Sequence, residues 1–434
     1  MTETGADFWT AKRIACWRED RWAAQRAYLE TDSAFYRELW QGVAPPERLG
    51  DLVRLPFTTK AMLRESQVAQ PPFGHYLAAP SERVARLHRT SGTTGRAMNI
   101  AMSAADALQT AEVGARSHRA SGLGPGHRVI HCLNYQMWMG GFTDHASLEA
   151  TGATVIPFGI GGTELLVRTI QDVGVTAIHC TPSYPAVLER VIADKFPDIS
   201  PRDLGLKLGL FGGEAGLDDP AFRARLESVW GFSARNANYG VSDAFSNFAG
   251  QCGHETDLHF LGLDVLYAEL IEPESGEPLD WGDGVTGELV LTHLDRECQP
   301  LVRFRTSDIL TVTATAPCAC GRTGPRFRVV GRSDDMVVVR GVNVFPNAVG
   351  AALGAFPELS GEYRIRLRGK GPYDLLPVEA ELAAGQATTP ELREAVSEAI
   401  NAEIRASTEV HLVAPRSLPR TEGKTQRVIR EADD

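Results

Sequence analysis

Residues 87–96 run Leu87, His88, Arg89, Thr90, Ser91, Gly92, Thr93, Thr94, Gly95, Arg96, hydroxyls and glycines closing on a cation. Such a stretch packs a core poorly. Its glycines let backbone amides turn toward an anion. The hydroxyls add rotatable donors, and Arg96 adds fixed positive charge. Together they would cradle a polyphosphate; the competing reading is a polar surface loop. Further on, Tyr239, Gly240, Val241, Ser242 and Asp243 follow an Asn-rich stretch. A flat aromatic beside a glycine can line a purine, and a carboxylate after a turn can hold Mg²⁺ through oxygen. Asp308 closes the run Arg303, Phe304, Arg305, Thr306, Ser307, where it suits the two hydroxyls of a ribose. Its alternative is an edge-strand ion pair with the neighbouring arginines. Residues 331–346, containing Arg332, Asp334 and Asp335, are dense in charge and turn formers, which suits a hinge or a charged hairpin turn. Near the C-terminus Lys424 stands among glycine and hydroxyls, a mobile ammonium able to stabilise developing phosphoryl or carboxyl charge, or a frayed basic tail.

A second chemistry is offered by Cys252, His259, Cys318 and Cys320. Three thiolates and one imidazole match a closed, structural zinc site with no position left for water. The Cys-x-Cys pair followed by Gly321 can present both sulfurs from one turn, and His254 competes with His259 as the fourth ligand. The alternative is a set of unrelated reduced cysteines.

These groups need elements to position them. The 434 residues suffice for two or three domains, and 43% hydrophobic with 23% charged residues is ordinary for a globular chain. A net charge of −11 argues against a nucleic-acid scaffold, so an anionic ligand must be met by local donors. Seven cysteines without secretory spacing, an acidic N-terminus and the lack of a long apolar window predict a reduced, cytoplasmic protein. The first 75 residues read as helices and connectors. From 128 onward apolar, β-branched runs (128–133, 153–158, 175–180, 206–211) alternate with helical stretches (163–173, 184–193). That rhythm predicts β-α-β units around a mainly parallel sheet. Short strands with turns follow over about 263–340, predicting a separate β-subdomain. The last hundred residues, with a helix over 390–404, predict a small α+β domain. The expected division is 1–331, with the β-subdomain at about 263–331, and 332–434.

In this order the motifs resemble the adenylate-forming enzyme superfamily, most closely the phenylacetate–CoA ligase family. Residues 55–60 (Leu55, Pro56, Phe57, Thr58, Thr59, Lys60) and 152–157 add to a likeness that covers nearly the whole chain. The resemblance implies an α/β fold: a large N-terminal domain of mainly parallel sheets with a β-subdomain, and a small mobile α+β lid. It implies that a carboxylate attacks the α-phosphorus of ATP, and that a thiol then displaces AMP from the acyl-adenylate. ATP, Mg²⁺ and coenzyme A are the implied cofactor and co-substrates. By position, Thr90, Ser91, Gly92, Thr93, Thr94 and Gly95 would hold the phosphates. Gly213 and Glu214 would sit by the adenine, with Tyr239, Gly240 and Ser242 beside it. Asp243 would bind Mg²⁺, Asp308 the ribose, and Arg332 ribose or phosphate. Asp334 would be the pivot, and Lys424 would bridge carboxylate and α-phosphate. Some relatives carry a cysteine–histidine set similar to the one above.

The chain departs from the family pattern at three points. Arg96 and Ala97 replace Lys-Pro, Asp243 replaces Glu, and Ser307 replaces the glycine before the ribose Asp. In the same family the region 134–142 lines the acyl pocket. There Tyr135, Trp138, Gly141 and Phe142 would clamp a flat ring, and Phe211, Gly212 and Gly213 would close the opposite wall. An aromatic acid is the expected substrate, with Asn134, Gln136 and His131 available to read a hydroxyl or amino substituent. The partners this reading names are a small aromatic acid, a carrier protein in trans or a nitrogen nucleophile as alternative acceptors, and a second chain in a homodimer. Nucleic acid and membrane are not among them. A non-catalytic nucleotide-binding descendant is the rival outside catalysis. A serine hydrolase lacks its Gly-x-Ser-x-Gly elbow here, and a P-loop kinase its four-residue gap and Lys-Ser/Thr ending.

Overall fold

The computed structural model describes residues 5–90, 97–214, 216–340, 342–369, 373–419 and 427–431. By internal contact the chain forms two compact units. One comprises 1–218, 223–306 and 310–328; the other 219–222, 307–309 and 329–434.

Three helices open the first unit: Ala11–Asp32, Ala34–Leu39 and Lys60–Ala69. Thr10, Ser33 and Thr59 cap them by accepting an amide two or three residues into each helix, which relieves the unpaired donors of a first turn. Trp22, Leu29, Tyr36 and Leu52 are fully buried beneath them. The β-branched runs then form parallel strands separated by helices. Thr163–Val173 is one of those helices, and it ends on Gly174 in the left-handed conformation that glycine adopts without strain.

Twelve strands are hydrogen-bonded in one order: Pro278–Leu279, Leu266–Ile271, Thr286–His293, Phe304–Ala314, Arg326–Arg332, Leu258–Phe260, Phe245–Gly250, Ser233–Val241, Leu208–Gly212, Ala177–Cys180, Arg128–His131, Thr154–Pro157. The short strands expected as a separate β-subdomain therefore continue the parallel sheet. Ser233–Val241 is the join: it pairs parallel with Leu208–Gly212 on one side and antiparallel with Phe245–Gly250 on the other. Register also matters for chemistry. His131 lies directly opposite His179 in neighbouring parallel strands, so both imidazoles project from the same face.

The second unit carries a four-stranded sheet in the order Thr408–Val413, Leu376–Leu382, Leu359–Arg368, Val428–Glu431. The helices Pro346–Leu353 and Pro390–Ile404 share its core, where Val349, Ile365, Val378, Val396 and Ile400 are fully buried. A hairpin pairs Val337–Val339 with Val342–Val344. Among the described residues no helix is long and apolar enough to cross a membrane.

Candidate active site

The strands Arg86–Arg89 and Asn99–Met102 are antiparallel and flank the glycine–hydroxyl loop. Thr90 closes the loop's neck: its amide donates to Met98 O at 3.0 Å, and its Oγ1 accepts from Met98 N at 3.0 Å. Ser91, Gly92, Thr93, Thr94, Gly95 and Arg96 lie outside the described residues, as does Lys424.

Gly213 follows the strand Leu208–Gly212 at φ +83, a conformation that favours glycine, and Glu214 comes next. Tyr239 stands on Ser233–Val241, its ring edge-to-face with Phe248 and Phe327 at 5.3 and 5.5 Å. Gly240 is required there, since a Cβ would lie 2.1 Å from Ser246 O. Ser242 and Asp243 follow in the turn. Asp243 Oδ2 accepts from Lys60 Nζ at 2.9 Å, while Oδ1 is buried without a hydrogen-bond partner. Lys60, to which the sequence reading gave no role, is brought to this carboxylate by the fold. It begins a helix whose approach is fixed by Thr58, bonded through its amide to Arg303 O at 3.0 Å and through Oγ1 to Val302 O at 2.7 Å. A buried carboxylate oxygen without a partner, beside one already neutralised by an ammonium, suits an oxygen-seeking divalent cation such as Mg²⁺.

The acyl segment is held from several sides. Gly141 approaches Asn134 so closely that a Cβ would sit 2.2 Å from its carbonyl oxygen. The Gly141 carbonyl accepts from His131 Nε2 at 2.9 Å. His131 Nε2 must therefore carry the proton, so Nδ1 of the neutral ring accepts, and His179 Nδ1 donates across 2.8 Å. Burial pushes His131 down to about 3 and His179 well below its usual value, so both are neutral at pH 7. Both nitrogens of His131 are thus engaged, and the ring is unavailable to read a substrate substituent. Asn134 Oδ1 accepts from Gln136 N at 2.8 Å, and Gln136 is exposed.

Tyr135 is half-buried, its hydroxyl 2.8 Å from His145 Nδ1, with His145 Nε2 3.3 Å from Glu149. The indole of Trp138 lies across Gly140 toward Gly213. Phe142 is 47% exposed, stacked on His145 at 5.9 Å with the Arg86 guanidinium 4.6 Å from its ring centre. Phe211 is fully buried against Phe232. Gly212 makes room for Asn238, whose amide donates to the fully buried Asp144. Burial raises that carboxyl well above the ordinary range.

In the second unit Arg332 Nη1 donates to Asp308 Oδ1 at 2.7 Å, and its Nε and Nη2 form a fork on Asp334 at 2.8 Å each. Burial opposes the charge on Arg332, but the Asp334 and Asp308 carboxylates outweigh it and raise the guanidinium further. Arg303 and Arg305 pair with Glu269 and Glu288, and Arg332 pairs with Asp308. Ser307 stands at φ +64, the left-handed region where the family's glycine would be unstrained.

Cys252, His259, Cys318 and Cys320 come together with their ligand atoms all within 4.8 Å of one another. Cys252 Sγ lies 3.9 Å from Cys318 Sγ, and Cys320 Sγ 3.8 Å from His259 Nε2. A tetrahedral ion with ~2.3 Å bonds to sulfur sets ligand separations of roughly 3.8 Å. Gly321 at φ +87 closes the turn carrying Cys318 and Cys320, and His254 contributes its backbone N–H to Cys252 Sγ at 3.3 Å. Burial pushes Cys252 up to about 11 and His259 down to about 4.

Residues 37–293 match the family model described as AMP-binding enzyme, and 341–431 that of the AMP-binding enzyme C-terminal domain. A phenylacetate-coenzyme A ligase of Thermus thermophilus is 34% identical, over 96% of this chain and 96% of that protein. One from Pseudomonas putida is 37% identical over 93% and 90%. The crystal structure of a 2-hydroxyisobutyryl-CoA ligase in the postadenylation state, in complex with 2-HIB-AMP, superposes with a TM-score of 0.88 at 28% identity, over 99% of this chain and 94% of that one. The chain belongs to the AMP-binding, adenylate-forming enzymes and, among them, to the phenylacetate–CoA ligase family.

Proposed function

We propose that this protein activates an aromatic carboxylic acid with ATP as the acyl-adenylate and transfers the acyl group to coenzyme A. The reading is carried by Asp243, with one oxygen neutralised by Lys60 and the other buried and unpartnered, in the turn after Tyr239. The substrate carboxylate attacks the α-phosphorus, the bond to the β-phosphate bridging oxygen breaks, and pyrophosphate leaves. Such chemistry is mostly positioning and charge stabilisation. Thr90 and the loop after it hold the phosphates, Gly213, Glu214 and Tyr239 take the adenine, and Asp308 takes the ribose. Lys424 bridges the substrate carboxylate and α-phosphate. Mg²⁺ held at Asp243 would neutralise phosphate charge. Residues 332–434 act as the lid, with Asp334 at the pivot. Arg332, held between Asp308 and Asp334, is placed to exchange a carboxylate for ribose or phosphate. In the second step the thiol sulfur bonds to the acyl carbon, AMP leaves and the thiol proton passes to solvent.

Zinc at Cys252, His259, Cys318 and Cys320 is the structural part of the proposal. The separations of the donors fit a tetrahedral ion, and all four positions are protein ligands. Product mass spectrometry with ATP, an aryl-acid panel, and CoA present or absent tests the function. AMP, pyrophosphate and an acyl-CoA are expected. Adenylate that accumulates without thioester would assign the acyl group to another acceptor. Nucleotide binding without any product would leave a non-catalytic descendant.

A further inference from the structure

We infer that the cysteine–histidine cluster is also a dock: zinc at Cys252, His259, Cys318 and Cys320 holds the N-terminal arm, residues 5–9, against the protein, and loss of the ion sets that arm free. This rests on the zinc reading above and goes beyond it, since the arm supplies none of the ligands. The arm meets two consecutive residues, Arg322 and Thr323, which directly follow the turn that carries Cys318 and Cys320. Asp7, only 3% exposed, accepts from Arg322 Nε at 3.0 Å. Asp7 O accepts from Thr323 N at 2.9 Å, and Trp9 O accepts from Thr323 Oγ1 at 2.7 Å. The Arg322 guanidinium also lies 4.9 Å from the centre of the Phe8 ring. A carboxylate buried this deeply needs its cation, because an ionised group away from water is costly without one.

Both docking residues take their places from the backbone that carries the ligands. Cys318 N donates to Arg322 O at 2.9 Å and Gly321 N to Cys318 O at 2.9 Å, so the turn closes on Arg322 itself. Downstream, Gly324 packs so tightly on the strand Leu258–Phe260 that an added Cβ would lie 2.2 Å from Phe260 O, and Phe260 N donates to Pro325 O at 3.0 Å. That strand carries His259. Arg322 and Thr323 are therefore held between two ligand-bearing segments, and removing the ion takes away the bonds that tie those segments to each other. The helix Ala11–Asp32, which follows the arm, has anchors of its own: Trp17 Nε1 donates to Asp264 O at 3.0 Å, and Trp22 and Leu29 are fully buried. Release stops at the arm, a local opening and not a global one. Linkage makes the effect reciprocal, so an arm that prefers the metal-bound turn strengthens metal binding in return.

Two measurements on the full chain test this: hydrogen exchange read by mass spectrometry before and after a chelator strips zinc, and zinc affinity by competition with a chromophoric chelator. Stripping the ion should speed exchange over residues 5–9 by at least ~10-fold, within the usual range of coupling between sites, while residues 11–32 keep their protection. Asp7→Ala and Thr323→Val leave all four ligands intact, yet each should bind zinc ~10-fold more weakly, as loss of an outer-shell partner does. Thr323→Val removes a single hydrogen bond and carries the test where Asp7→Ala fails to fold. Exchange over 5–9 that ignores zinc overturns the inference, as does protection lost along the whole chain. Wild-type zinc affinity in the variants overturns it too. A wild type that takes up no zinc overturns the zinc reading, and the dock with it.

Discussion

His118 offers a sharp test of how the interior is built. It is fully buried on the helix Ala104–Ala120, its ring edge-to-face with His179 at 5.2 Å, and neither ring nitrogen has a hydrogen-bond partner. Burial, with a smaller contribution from His131, pushes it down to about 3 from the ordinary value of 6.5. The native state therefore prefers the neutral ring. Above pH 6.5 neither state is protonated and His118 leaves stability unaffected. As pH falls from 6.5 toward 3 the unfolded chain takes up a proton that the native chain refuses, and stability drops at about 1.4 kcal/mol per pH unit. At pH 5 the loss attributable to this one ring is about 2 kcal/mol. Replacing His118 by Phe keeps a flat ring against His179 and removes the titration. Urea unfolding of both proteins at pH 7 and pH 5 measures it. The variant should be near wild type at pH 7 and gain about 2 kcal/mol over it at pH 5. The other buried histidines contribute equally to both proteins and cancel. Equal losses between pH 7 and pH 5 in the two proteins would refute the reasoning.

Gly141→Ala forces a Cβ against the Asn134 carbonyl, so KM for the acid should rise by 10-fold or more, while KM for ATP moves far less. Steady-state kinetics varying each substrate in turn decide it, and a uniform fall in kcat alone would contradict it. Ser307→Gly removes a side chain held at φ +64 and should stabilise the protein by about 1 kcal/mol, read as a higher urea midpoint. A lower midpoint would show that the Ser307 side chain matters more than the strain. Elemental analysis should find one zinc per chain, retained through gel filtration. Cys318→Ser should lose it and lower the melting temperature by several degrees; a metal-free wild type that melts at the same temperature would remove zinc from the account. Lys60→Met should lower the Mg²⁺ concentration needed for half-maximal activity, because Asp243 then meets the cation with its full charge and without a competing ammonium. An unchanged Mg²⁺ dependence would leave Lys60 a structural lysine.

Much of this was legible because the decisive features are local. The helices Thr163–Val173 and Pro390–Ile404 span the stretches 163–173 and 390–404 expected from the sequence. The three cysteines and His259 were grouped by residue type, and the fold brings their side chains together, Cys252 and Cys318 across 66 positions of sequence. What stayed hidden depends on pairings that sequence spacing cannot encode. Lys60 meets Asp243 across 183 residues, so only the segment around it drew notice. The union of the parallel strands with the later short strands depends on the two different edges of Ser233–Val241. His131 looked available to a substrate until register set it opposite His179 and below Gly141. Phe142 was grouped with the pocket aromatics, yet helical phase puts it beside His145 on a face half open to solvent.

The central claim is that a carboxylate attacks the α-phosphorus of ATP. An aryl acid carrying ¹⁸O in its carboxyl group, turned over with ATP and CoA, tests it most directly. One labelled oxygen should be found in AMP and none in pyrophosphate, since the acyl–oxygen bond breaks when the thiol displaces AMP. Unlabelled AMP, or ADP with labelled phosphate, would contradict the account.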